Sequence, residues 1–93
     1  MKVKAFLDAQ RKAGLTELTI SQERGSAGRT NAIQNRLQLI DWLLDGAEDM
    51  SALDLREALD DVISGKRQVH GLQNPADSSS VLLLRLVEQP AVE

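Results

Sequence analysis

The sequence predicts a small α+β fold, a single domain of three helices and a small antiparallel sheet. Apolar residues recur at helical spacing in three segments, and β-branched residues cluster in a fourth. A run of aliphatic residues near the C-terminal end follows a loop rich in turn-forming residues. The predicted order is helix, strand, helix, helix, strand, strand, and a mostly α fold is the alternative.

The first predicted helix covers residues 2–13, because three apolar residues among its first positions share one side. Gly14 stands where a glycine would end it. Residues 15–20 contain two threonines and an isoleucine, and their alternating leucine and isoleucine favour a short strand. A helix over residues 15–24 is the alternative.

The helix predicted for residues 29–45 follows a glycine-containing turn and has the longest apolar pattern in the chain. Its aliphatic residues lie at i, i+4, i+7 and i+11, namely Ile33, Leu37, Ile40 and Leu44. Four amides share a second face, namely Asn31, Gln34, Asn35 and Gln38. Gly46 is expected at the C-terminal end. The apolar band is wide near that end, so we expect deep burial or contact with a second copy in a homodimer.

The third predicted helix begins at Ser51 and runs to about Ser64. Ser51 with Asp54 three residues later is a capping box, in which the two side chains satisfy free backbone N–H groups. Gly65 follows at the position where a left-handed glycine commonly ends a helix.

The remaining segments are predicted to form a hairpin. Residues 66–72 are expected to be a strand, residues 73–80 a loop, and residues 81–87 a second strand that ends before Pro90. A leucine-rich helix capped by Asp77 or Ser78 is the alternative for the last run.

Composition excludes several kinds of chemistry. The chain has no cysteine, which rules out disulfides, thiolate metal sites and thiol catalysis. A single histidine, His70, cannot form a zinc site. No catalytic, cofactor or metal-binding set is recognisable, so we expect a protein that is not an enzyme and needs no cofactor. No apolar run reaches the ~20 residues of a membrane helix and no signal-peptide pattern is present, so we expect a cytoplasmic protein.

Charge is divided unevenly along the chain, and this division indicates a partner. Residues 1–40 hold seven Lys/Arg against three acids, whereas residues 41–61 hold eight acids and one arginine. The leading hypothesis is therefore a small regulatory or inhibitory protein that binds a basic surface of another protein. The residues predicted to make that contact are Asp41, Trp42, Asp45, Glu48, Asp49, Asp54, Glu57, Asp60 and Asp61.

DNA binding is the alternative hypothesis. The predicted order of elements resembles that of winged-helix domains, a resemblance of topology alone, which implies a DNA-binding regulator. The acids of the helix over residues 51–64 would then face phosphates and repel them. The chain would have to use the basic turn and the helix after it, as a helix-turn-helix variant does, with Arg24, Arg29, Thr30, Asn31, Gln34, Asn35 and Arg36.

Overall fold

The computed structural model describes residues 2–69, 72 and 78–88 of the chain, without the side chains of 78–80, 82 and 88. These residues form four α-helices: α1 (Val3–Glu23), α2 (Ala27–Leu44), α3 (Ala52–Ile63) and α4 (Ser78–Glu88). A short 3₁₀ helix, Ala47–Asp49, lies between α2 and α3. Within these ranges there is no strand, so the predicted α+β fold is wrong and the mostly α alternative fits.

The strand predicted for residues 15–20 is wrong because α1 continues without a break to Glu23. The fully buried positions of α1 are Val3, Leu7, Gly14 and Ser21. They follow one helical stripe. Half of this stripe is not hydrophobic, so the second half of α1 lacks the apolar period that would predict a helix. Gly14, expected to end the helix, is buried in its middle.

A glycine turn joins α1 to α2. Gly25 has φ +69°, its N–H donates to the Gln22 carbonyl over 3.1 Å, and the Ser26 N–H donates to the Ser21 carbonyl over 3.1 Å. These two bonds form the Schellman motif, which satisfies carbonyls at a helix end. The chain then reverses, so α1 and α2 pack as an antiparallel hairpin.

Helix α2 confirms the helix predicted over residues 29–45 and begins two residues earlier, at Ala27. Its buried residues are Ile33, Leu39, Ile40 and Leu43. Gly46 follows the helix end as expected, but its φ of −127° is not left-handed. The 3₁₀ helix that comes next places the buried Ala47 against the first turns of α1.

Helix α3 confirms the predicted capping box. The Asp54 N–H donates to Ser51 Oγ and the Ser51 N–H donates to Asp54 Oδ2, both over 3.1 Å. Gly65, with φ +85°, follows the last turn and donates its N–H to the Val62 carbonyl over 3.2 Å.

The predicted C-terminal hairpin is wrong where the structure describes it. Residues 66–69 form a bend and irregular chain rather than a strand, and the Arg67 N–H donates back to the Asp61 carbonyl over 3.1 Å. The run over residues 81–87 belongs to α4, as do Ser78 to Ser80 of the predicted loop. A helix satisfies its own backbone groups, whereas a strand would need a neighbouring strand. His70, Asp77, Pro90 and the rest of the predicted loop lie outside the described residues.

The core is concentrated at one end of the α1–α2 hairpin. It joins the first turns of α1 and the last turns of α2 to the 3₁₀ helix, α3 and α4, and it takes no residue from positions 8–38. Its members are Val3, Leu7, Leu39, Ile40, Leu43, Ala47, Leu55, Ala58, Leu59, Val62, Val69, Leu83 and Val87. The outward side of α3 and the other end of the hairpin contribute no residue to this cluster.

Candidate protein-binding surface

The outward side of α3 carries an exposed leucine among charged residues. Leu55, Ala58, Leu59 and Val62 are buried, and these positions recur at helical spacing on the inward side. Leu53 lies on the opposite side and is 60% exposed, more than any other large hydrophobic residue described. It lines a shallow depression with Arg56, Glu57 and Asp60. We call these four residues the α3 outer face.

The α3 outer face combines an apolar centre with a charged rim. Leu53, Glu57 and Asp60 lie at i, i+4 and i+7, so they share one line along the helix. Protein-binding surfaces commonly have an apolar centre that loses its water on binding and a polar rim that stays hydrated. Two carboxylates beside one arginine make the rim negative on balance, which suits a positively charged partner.

The other predicted acids occupy several separate places. Asp45, Glu48 and Asp49 are exposed between α2 and α3. Asp41 is exposed too, but its carboxylate accepts a 2.8 Å hydrogen bond from Arg11 Nε, which joins α2 to α1. Asp54 is occupied in the capping box described above. Asp61 is half-buried, and its backbone carbonyl accepts from the Ser64 hydroxyl.

Trp42 is held against the protein's own core rather than presented to solvent. Its side chain is half-buried and packs on the core cluster. The Arg67 guanidinium lies 5.7 Å from the centroid of its ring, within cation–π distance. Asp45, Met50 and Arg67 line a shallow pocket beside it. Trp42 thus has an internal partner, and Leu53 is the more accessible apolar side chain.

Sequence reasoning missed Leu53, although a signal for it was present. The inward positions of α3 are all occupied by aliphatic residues, and Leu53 falls on the side of the helix that is otherwise charged. An apolar residue on a charged helix face has no role in the core. It is therefore available for contact with another molecule.

The residues predicted to bind DNA do not share one open face. Arg36 lies between α1 and α2, where its guanidinium donates to Glu17 Oε2 over 2.8 Å and its side chain is only 13% exposed. Thr30 Oγ1 hydrogen-bonds Ser21 Oγ over 2.8 Å in the same interface. Asn35 is half-buried and has a partner of its own. The exposed members of the set are Arg24, Arg29, Asn31 and Gln34.

Two further observations concern the chain as far as the structure describes it. In these residues no three Asp, Glu or His side chains gather as a metal site would require. None of the described helices combines the length and apolar character needed to cross a bilayer.

The comparisons with known proteins give no relative. No family model matches the chain, no curated protein is detectably similar to it, and no solved structure matches it.

Proposed function

We propose that this chain is a small, non-enzymatic regulatory or inhibitory protein that binds a basic surface of another protein through the α3 outer face. The observation that supports this function is the 60% exposure of Leu53 beside Glu57 and Asp60. Burying the part of the Leu53 side chain that is still exposed contributes about 1–2 kcal/mol of hydrophobic free energy. The carboxylates add attraction and orientation for a partner that carries Lys or Arg.

The neighbouring acids extend the negative field around this face. Asp45, Glu48 and Asp49 are exposed, and residues 41–61 include only one basic side chain, Arg56. Such a field raises the association rate with a basic protein and weakens as salt rises. In this proposal burial of Leu53 provides binding free energy, whereas the acids raise the association rate and select for basic partners.

A capture experiment with three proteins tests this function. The wild-type chain, a face variant (Leu53→Asp with Glu57→Gln and Asp60→Asn) and a control variant (Asp8→Asn with Glu23→Gln) are immobilised and exposed to lysate of the source cells. The control neutralises two exposed acids of α1, away from the α3 outer face. Captured proteins are quantified by mass spectrometry, and circular dichroism verifies that all three chains are equally helical.

The expected result is a basic protein retained by the wild type and the control and lost by the face variant. Equal retention by all three chains would contradict the proposal. Retention of nucleic acid instead of protein, lost on Arg24→Ala with Arg29→Ala, would contradict it as well.

A further inference from the structure

The shallow pocket beside Trp42 is lined by two opposite charges as well as by apolar side chains. It lies between the C-terminal end of α2, the inward side of α3 and Arg67, and its volume is about 240 Å³. Trp42, Met50 and Ala58 are among its apolar lining residues, whereas Asp45 and Arg67 supply the charges. Both charged side chains are exposed, and the two do not pair with each other. We call this site the Trp42 pocket.

Arg67 is held at the pocket by the end of α3. Gly65 follows that helix with φ +85°, and the Arg67 N–H then donates to the Asp61 carbonyl over 3.1 Å. This bond fixes the backbone that carries the guanidinium to 5.7 Å from the centroid of the Trp42 ring. A cation–π contact uses the charge of the guanidinium and leaves its in-plane N–H donors for an anion. No carboxylate of a described residue pairs with them.

Asp45 makes the α2 side of the pocket negative. It is the C-cap residue of α2, and the last turn of that helix has no basic residue. The free carbonyl groups at a helix C-terminus carry partial negative charge, so a cation is favoured there. No Lys or Arg among the described residues forms an ion pair with Asp45. The pocket thus has one side that attracts a cation and one side that attracts an anion, with apolar surface between them.

We propose that the Trp42 pocket binds a free α-amino acid with an apolar side chain. The ammonium group of this ligand pairs with Asp45, its carboxylate accepts hydrogen bonds from Arg67, and its side chain packs on Met50 and the indole. A zwitterion satisfies both charges at once, whereas a simple anion or cation leaves one of them without a partner. The pocket is smaller than the roughly 300 Å³ at which sites for drug-sized ligands begin, which suits a ligand of this size.

An NMR titration of the full chain with L-leucine tests the site. Trp42 is the only tryptophan, so its indole N–H gives a single resonance that reports on the pocket. L-Leucine is expected to shift this resonance in a saturable way at millimolar concentrations. N-Acetyl-L-leucine lacks the ammonium charge and L-leucinamide lacks the carboxylate, so each should bind roughly threefold to tenfold more weakly. No saturable shift at tens of millimolar L-leucine, or an analogue that binds as tightly as L-leucine, overturns the inference.

Two variants test which side chain binds which charge. Asp45→Asn should weaken L-leucine binding roughly threefold to tenfold and leave N-acetyl-L-leucine binding unchanged. Arg67→Gln should weaken L-leucine binding to the same extent and leave L-leucinamide binding unchanged. The matched controls are Glu48→Gln and Lys66→Gln, which remove the same charges from exposed neighbours that do not line the pocket. Equal losses in the variants and their controls would show that only overall charge matters, and would overturn the inference.

This site and the proposed function are tested independently. None of the four residues of the α3 outer face lines the Trp42 pocket. The titration uses purified chain and a small molecule, so its failure would leave the α3 outer face and its proposed partner untouched. Failure of the capture experiment would likewise leave amino-acid binding measurable.

Discussion

Leu37 of α2 packs directly against Gly14 of α1. A Cβ atom at Gly14 would lie 2.9 Å from Leu37 Cδ2, closer than real Cβ contacts allow. The Leu37 side chain thus limits the space at position 14, whereas the backbone there has no positive φ that would need a glycine.

The first prediction concerns this contact. Gly14→Ala gains about 1 kcal/mol of helix propensity but meets Leu37, so its net effect on unfolding free energy should be small. In a Leu37→Ala background the overlap is gone and the same substitution should stabilise by about 1 kcal/mol. Urea unfolding of the double-mutant cycle measures the coupling between the two positions. A coupling indistinguishable from zero would mean that the helices do not meet here.

The contrast between Gly14 and Leu15 also explains why the fold class was mispredicted. In the second half of α1 the buried positions are Gly14 and Ser21, with Glu17 half-buried, whereas Leu15 and Ile20 are exposed. Glycine, serine and glutamate occupy inward positions while two aliphatic residues face solvent, so the apolar period on which helix prediction rests is lost. The β-branched threonines then favoured a strand on local preference alone.

Helices α2 and α3 were predictable because their signals are local. Aliphatic residues at helical spacing and the Ser51–Asp54 capping box fix them without knowledge of the rest of the chain. The last run was ambiguous for a physical reason: seven mostly aliphatic residues, buried on more than one side, have no period. The charge pattern of the sequence alone predicted that the acids of residues 41–61 form a negative surface. Which of these acids cap a helix, which form ion pairs and which lie on the α3 outer face depends on tertiary structure.

The second prediction compares two glycines three residues apart. Gly25 has φ +69°, a left-handed conformation in which an L-residue costs about 1–2 kcal/mol, so Gly25→Ala should destabilise the chain by that amount. Gly28 lies in the first turn of α2 with nothing within 4 Å of an added Cβ, so Gly28→Ala should be neutral or stabilise by up to about 1 kcal/mol. Thermal or urea unfolding of both variants checks the sign. Destabilisation by Gly28→Ala equal to that by Gly25→Ala would argue against the turn.

The third prediction concerns the ion pair between Glu17 and Arg36. The Arg36 side chain is mostly buried, whereas the Glu17 side chain is 41% exposed, so water partly screens the charge that Glu17→Gln leaves unpaired. This substitution should destabilise by about 0.5–1.5 kcal/mol. Arg36→Met should lower the unfolding free energy by less. The substitution also removes the buried Nε that has no hydrogen-bond partner, and methionine fills a similar volume.

Asp8→Asn is the control for this pair. Asp8 pairs with Lys4 at the surface, where both side chains are about half exposed, and an exposed pair contributes only about 0–1 kcal/mol. A larger loss from Arg36→Met than from Glu17→Gln would contradict the predicted order and show that packing of the Arg36 side chain matters more than its unpaired charge.

The fourth prediction separates structural acids from binding acids. Asp54→Asn changes a capping-box carboxylate, and Ser51→Ala removes its reciprocal partner. A lost N-cap costs about 0.5–2 kcal/mol, so Ser51→Ala should lower unfolding free energy by this amount. Glu57→Gln and Asp60→Asn lie on the exposed side of the same helix and should change it by less than about 0.5 kcal/mol. If both pairs of substitutions destabilise equally, the acids of the α3 outer face have a structural role as well.

The most direct test of the proposed function places a photo-crosslinking amino acid at position 53 in cells and, as the control, at position 15. Both leucines are exposed, at 60% and 42%, and they lie on different helices. We expect a covalent adduct with a basic protein from position 53 and no such adduct from position 15. The absence of an adduct at position 53, or the same adduct from both positions, would contradict it.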